Sequence, residues 1–160
     1  MRVAVASDHA GFPIKDLVLL AVINAGHEHL DLGAFSTESV DYPDYAMKLA
    51  STIINGEAER GILLCGSGVG ASIAANKFPG IYAAVCHDPY SAHQGVEHDS
   101  MNVLCLGGRI IGPDIVLELV PKFLNANFQG HENGEDRHFR RVKKIRKLEE
   151  RFMLNNNNKD

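Results

Sequence analysis

Residues 61–77, "GILLCGSGVGASIAANK", decide how the chain is read. "GILLC" (61–65) is a continuous apolar run, the pattern of a strand buried on both faces. It runs straight into a glycine-rich turn, and "GASIAANKF" (70–78) then reads as a helix. The same alternation extends in both directions. Upstream, "RVAVA" (2–6) reads as a buried strand. "FPIKDLVLLAVINAG" (12–26) reads as a helix, with Pro13 near its start and Gly26 just past its end. "HEHLDL" (27–32) alternates as a more exposed strand, "STESVDYP" (36–43) is a loop, and "DYAMKLASTIINGE" (44–57) is a second helix. Downstream, "GIYAAVC" (80–86) is a strand, and Asp88 and Pro89 then supply a cap and a first-turn proline for a helix. "MNVLCLG" (101–107) is a fifth strand. "GPDIVLELVPKFLNA" (112–126) is a helix that Pro121 is expected to kink or break. Repeated strand–helix units predict a five-stranded parallel sheet with helices on both faces, a three-layer α/β/α Rossmann-like fold.

The 160 residues suit one domain with a substantial core. Apolar residues make up 45% and charged residues 22%, an ordinary globular balance. A net charge of −4 gives no general attraction to nucleic acid or to an anionic membrane. The start, "MRVAVASDHAG", lacks a secretory pattern, and "LVLLAVI" is too short to span a bilayer. Cys65, Cys86 and Cys105 form no C-x-x-C pair and no even disulfide framework, so a cytoplasmic protein with free thiols is expected.

The carboxyl-terminal part differs in composition. Residues 137–151 hold eight of the 16 Lys and Arg residues, while Phe139, Val142, Ile145, Leu148 and Phe152 recur at helical spacing. This helix, placed at 136–153, is either a solvated basic helix on its own domain or an arm that carries arginines to a neighbouring subunit. The expected organisation is a single domain over residues 1–153 and a disordered, asparagine-rich tail over 154–160.

Ligands of open parallel sheets bind beyond the carboxyl ends of the strands. Those ends carry Ser7, Asp8 and His9, then residues 65–70, then Cys86, His87 and Asp88, then Gly107, Gly108 and Arg109. "GSGVGA" (66–71) fits the dinucleotide pattern G-x-G-x-x-A, and Asp88 follows Gly68 by twenty residues, as a ribose-binding acid would. The same loop also fits an anion hole, in which successive amides at a helix start hold phosphate or an enediolate. The residues alone leave both readings open. Cys65 abuts that helix start, a setting suited to a base or nucleophile, whereas Cys86 and Cys105 are expected to be inert. His27 and His29 are expected on a solvated edge, and the spacing of His87, His93 and His98 is poor for a metal. Arg109, and Arg137 with Arg141 one helical turn later, suit phosphate.

Together, "SDHAGF", "DYPDYA", "GILLCGSGVGASIAANK", "AAVCHDPYSA", "HDSMNVLCLGGRIIG" and the arginine-bearing last helix resemble the type B ribose-5-phosphate isomerases. These belong to the sugar-phosphate isomerase family that also holds galactose-6-phosphate and allose-6-phosphate isomerases. The resemblance spans roughly residues 1–151. It implies an aldose–ketose isomerase of the pentose phosphate pathway that needs no cofactor and no metal. It implies a homodimer, or a dimer of dimers, with sites shared between subunits. Cys65 matches the base that moves a proton between C1 and C2, Ser67 a hydroxyl that helps shift protons between O1 and O2, and His98 the ring-opening acid or base. Amides of Gly66, Gly68 and Gly70 match the enediolate hole. Asp8 and Tyr42 match residues that hold the sugar, and Asn102 fits a substrate-side position. His9, Arg109, Arg137 and Arg141 match phosphate contacts, the last two from the partner subunit. Ser67 stands where relatives commonly carry threonine, and Asp99 where many carry asparagine.

Overall fold

The structure is a computed structural model and describes residues 1–131 and 136–154. Five parallel strands form one sheet: β1 (Arg2–Ser7), β2 (Glu28–Asp31), β3 (Arg60–Cys65), β4 (Ala83–Val85) and β5 (Val103–Gly107). Their order across the sheet is β2-β1-β3-β5-β4. The chain moves outward from β1 to β2 and then restarts on the other side with β3, which puts a topological switch between β1 and β3. Turns that leave these two strands diverge, and the crevice between them is where open α/β sheets bind ligands.

Among the described residues, five helices flank the sheet, α1 (Lys15–Asn24, preceded by a 3₁₀ turn at Phe12–Ile14), α2 (Tyr42–Ile54), α3 (Val69–Ala75), α4 (Pro89–Asp99) and α5 (Pro113–Asn125), and a sixth, α6 (Arg137–Glu149), packs on α4. A π-helical turn, Glu150–Leu154, continues α6. The period-two side-chain alternation of the central strands divides the core in two. Val3, Val5, Ile62, Leu64, Leu104 and Leu106 face α1, α4 and α5. Ala4, Ala6, Leu63, Cys65, Val103 and Cys105 face α2 and α3. Cys65 therefore leaves its strand on the α2/α3 side.

Two elements depart from expectation. Helix α5 runs continuously through Pro121. The carbonyl four residues earlier, which the proline cannot serve, belongs to Leu117 on the exposed face. The helix end is held by Arg60, whose guanidinium donates to the carbonyls of Phe123, Leu124 and Ala126. His27 is not a solvated edge residue: both ring nitrogens are buried without a hydrogen-bond partner.

One of the two edge strands, β4, has its free side met by a side chain. Asn76, just after α3, accepts from the Ala83 amide at 2.9 Å and donates to the Ala83 carbonyl at 2.7 Å. Residues 155–160, most of the expected tail, lie outside the described residues.

Candidate active site

Three strand-end turns interlock at the carboxyl end of the sheet. The Asp8 amide donates to Leu64 O at 3.0 Å, the Gly108 amide to Cys65 O at 2.8 Å and the Arg109 amide to Gly66 O at 3.1 Å. Gly108 makes this approach feasible, since a Cβ there would sit 2.7 Å from the Ala10 carbonyl oxygen. Gly68 turns the chain into α3 at φ +82°, a conformation that favours glycine.

Each expected residue at this end has a defined setting. Cys65 is 4% exposed, and its Sγ accepts from the Gly68 amide at 3.1 Å. Ser67 is exposed, with its Oγ accepting from the Val69 amide at 3.3 Å. The Tyr42 ring lies over Gly70, close enough that a Cβ on that glycine would stand 2.8 Å from Cζ. Arg109 lies beside Gly66, its guanidinium carbon 3.8 Å from where a Cβ would be. Asp8 is buried and commits Oδ1 to the amides of Ala10 and Gly11, each at 2.8 Å, so one carboxylate oxygen shapes its own turn. His9 Nδ1 lies 3.2 Å from the Val40 carbonyl, which fixes the ring against the loop that leads into Tyr42. The carboxyl end thus assembles Asp8, His9, Tyr42, Cys65, Gly66, Ser67, Gly68, Gly70 and Arg109.

His98, Asn102, Arg137 and Arg141 are elsewhere in the same chain. His98 is in the last turn of α4, which feeds the amino end of β5. Strand β5 runs alongside β3 from Gly61↔Val103 to Cys65↔Gly107. Four strand steps, about 13 Å, therefore separate Cys65 from the level of Val103, and His98 lies beyond that. Asn102 is occupied structurally: Oδ1 accepts from the Tyr82 amide at 2.8 Å and Nδ2 donates to Gly80 O at 2.8 Å.

Helix α6 begins beside His98. Asp136 caps it by accepting from the amides of His138 (2.5 Å) and Phe139 (3.3 Å), which hold its carboxyl below the usual carboxylate range. His138, which sequence reasoning missed, is buried and stacks on the His98 ring at a centroid distance of 4.0 Å. Its Nε2 accepts from Arg137 Nε at 3.2 Å, so one imidazole links the histidine and an arginine. A cleft of about 650 Å³ between the ends of α4, α5 and α6 is lined by Arg137, His138, His93 and Gln129, among others. Farther along α6, Glu149 accepts from the Gly80 amide and from the Tyr82 hydroxyl at 3.1 Å, tying the helix to its own domain. Of the expected apolar stripe only Val142 is buried; Ile145, Leu148 and Phe152 are exposed.

The other thiols are poor reagents. Burial pushes Cys86 up to about 11, and burial pushes Cys105 higher still. Among the described residues, no three His, Cys, Asp or Glu side chains form a group that could hold a metal ion, and no helix is long and apolar enough to cross a membrane.

A thiol, a hydroxyl and loop amides at the switch point of a parallel sheet, flanked by a phenol and an arginine, define a small-molecule enzyme of the Rossmann-like α/β class. The chain belongs to the ribose/galactose isomerase family, whose pattern matches residues 3–145. It is 41% identical over 150 residues to ribose-5-phosphate isomerase B of Escherichia coli, covering 94% of this chain and 97% of that protein. It is 39% identical over 131 residues to D-erythrulose-4-phosphate isomerase of Pectobacterium atrosepticum, covering 81% of this chain and 86% of that one. The solved ribose-5-phosphate isomerase B of Clostridium thermocellum superposes with a TM-score of 0.89 at 43% identity, covering 95% of this chain and 99% of that one.

Proposed function

We propose that this chain interconverts ribose 5-phosphate and ribulose 5-phosphate as an enzyme of the pentose phosphate pathway. The observation that carries the reading is Cys65, buried at the end of β3 with the Gly68 amide 3.1 Å from its sulfur and Arg109 beside the same loop. Isomerisation of an open-chain aldose phosphate removes the C2 proton and returns one to C1, and the charge passes onto the carbonyl oxygen between the two steps. Cys65 takes and returns that proton. Amides of the loop holding Gly66, Gly68 and Gly70 hold the enediolate oxygen, where fixed donors lower the barrier. Ser67 is exposed beside them and serves the O1–O2 proton shift. Asp8 and Tyr42 orient the sugar, while His9 and Arg109 take the phosphate.

The reading includes a cytoplasmic homodimer. His98 opens the sugar ring, Arg137 and Arg141 complete phosphate binding, and Asn102, its amide held by Tyr82 and Gly80, stands on the substrate side. All four lie at the opposite end of the sheet from their own Cys65. A partner subunit that brings this end to the Cys65 end of its neighbour completes two sites. The exposed apolar positions Ile145 and Leu148 on α6 favour such a contact, with 38% and 56% of their surface open. A dimer of dimers would repeat the same pair.

A nucleotide-binding module is less favoured. Arg109 and Tyr42 cover the glycine loop, and Asp88 is occupied as the cap of α4, accepting from the Ser91 amide at 2.7 Å. A coupled assay of the purified chain on ribose 5-phosphate, allose 6-phosphate and galactose 6-phosphate tests the reading. The expected result is the highest kcat/KM on ribose 5-phosphate. Preference for either hexose phosphate moves the assignment within the family, and conversion of none rejects it.

A further inference from the structure

We propose that His87 is a positioning residue that sets the relative height of the Cys65 loop and Arg109 through the Gly107 amide. His87 follows β4, and its Nε2 accepts from the Gly107 amide at 2.9 Å. Gly107 is the last residue of β5 and the root of the turn that carries Arg109. The next two amides of that turn bind the catalytic loop: Gly108 N donates to Cys65 O at 2.8 Å and Arg109 N to Gly66 O at 3.1 Å. The turn is also in steric contact with the loop, because a Cβ on Gly107 would lie 2.7 Å from the Ser67 carbonyl carbon. Three successive amides therefore grip one imidazole and two catalytic-loop carbonyls. Loss of the imidazole acceptor leaves the first of them unpaired and frees the turn to shift against Cys65 and Ser67.

The bond fixes the state of the ring. Nε2 accepts only when it carries no proton, so the ring is neutral with its hydrogen on Nδ1. Burial favours this state by lowering the ring's proton affinity, and Asp88, next along the chain, acts in the opposite direction. The other ionisable groups at the adjoining strand ends are Cys65, Arg109 and Cys86, the last pushed up to about 11 by burial. Protonation converts Nε2 to a donor that faces the Gly107 donor, and the turn must then move. The active geometry is accordingly present above the ring's folded pKa and lost as pH falls through it.

This inference rests on the isomerase reading, so one of its measurements does not use activity. In the whole wild-type protein at pH 7.5, imidazole nitrogen shifts are expected to show His87 as the neutral Nδ1–H form, with the Gly107 amide shift moving as that ring titrates. A neutral Nε2–H form overturns the proposal even if isomerase activity is present. Where the isomerase reading fails, this signature still stands or falls alone. In the activity test, His87→Ala is expected to lower kcat/KM about tenfold at pH 7.5, the effect of one lost positioning hydrogen bond. His87→Gln offers a carbonyl oxygen as acceptor and is expected to stay within about threefold. Its acid limb is expected to be shallower than that of wild type, since position 87 titrates in wild type and not in the variant. Full activity in His87→Ala, or an unchanged acid limb in His87→Gln, overturns the proposal. Should His87→Ala not fold, His87→Gln and the nitrogen shifts decide.

Discussion

The two ends of the sheet are built by different means. At the carboxyl end the turns are joined by backbone hydrogen bonds, from Asp8 to Leu64, Gly108 to Cys65 and Arg109 to Gly66. At the amino end His98, His138 and Arg137 meet through side chains, with a ring stack at 4.0 Å and a hydrogen bond at 3.2 Å. In the proposed reaction, backbone contacts suit the group that meets a carbon-bound proton within a few tenths of an ångström. In the same proposal, the arginine side chains of α6 suit binding of a phosphate, whose charge is felt over longer distances. In the proposed dimer, the rigid end of one subunit receives the adaptable end of the other.

The largest expected effect tests the carboxyl end. Cys65→Ala is expected to lower kcat by about a thousandfold, the scale of a removed acid–base group, while chemical denaturation shifts by less than about 1.5 kcal/mol. Retained activity would remove the proton-transfer role from this end altogether.

The next test joins the two ends. Cys65→Ala and the double variant Arg137→Ala/Arg141→Ala should each be nearly inactive as homodimers. Mixed after reversible dissociation, they are expected to recover roughly a quarter of wild-type activity. Half of the dimers are then mixed, and one of the two sites in each receives an intact Cys65 and an intact arginine pair. Sites contained within single chains would recover nothing, because every chain in the mixture lacks one end.

The smallest effect concerns how α6 is held. Burial first, and then Glu149, raises the Tyr82 phenol above its ordinary value. A raised tyrosine favours the neutral form in the folded state. Its stabilising contribution is full below about pH 10 and is lost as pH rises through the folded value. Glu149→Gln removes the charge, so Tyr82 is expected to titrate earlier, with a cost at pH 7 below about 1 kcal/mol. Tyrosinate absorbance and thermal melts between pH 8 and 11 measure both. An unchanged titration would mean that Glu149 does not hold α6 in solution.

Legibility in the sequence followed the same division. "GILLC" and its glycines announced a buried strand and its turn because the information is local: apolar run, glycine, helix. The sheet order β2-β1-β3-β5-β4 was not legible, since no residue records that β5 inserts between β3 and β4. "HDSMNVLCLGGR" put His98 and Arg109 in one motif, yet β5 lies between them and carries them to opposite ends. The intervening "MNVLCLG" already reads as a strand, and its length is the signal that separates the two. His138 went unnoticed because the basic helix was read by its apolar residues. The buried positions are His138 and Val142, four apart, and the Asp136 cap that fixes the helix phase was the available clue. Pro121 misled because the rule against helix-interior proline says nothing of an exposed carbonyl at Leu117 or of Arg60 waiting at the helix end.

Asn76 sets a boundary condition on assembly. By engaging both backbone groups of Ala83 it acts as a one-residue imitation of a sixth strand. A β-strand from another molecule would have to evict that amide before it could pair there. In the proposed dimer, a contact at this edge must therefore run through the shapes and charges of helices, which can be specific, and not through strand addition, which any extended peptide can offer.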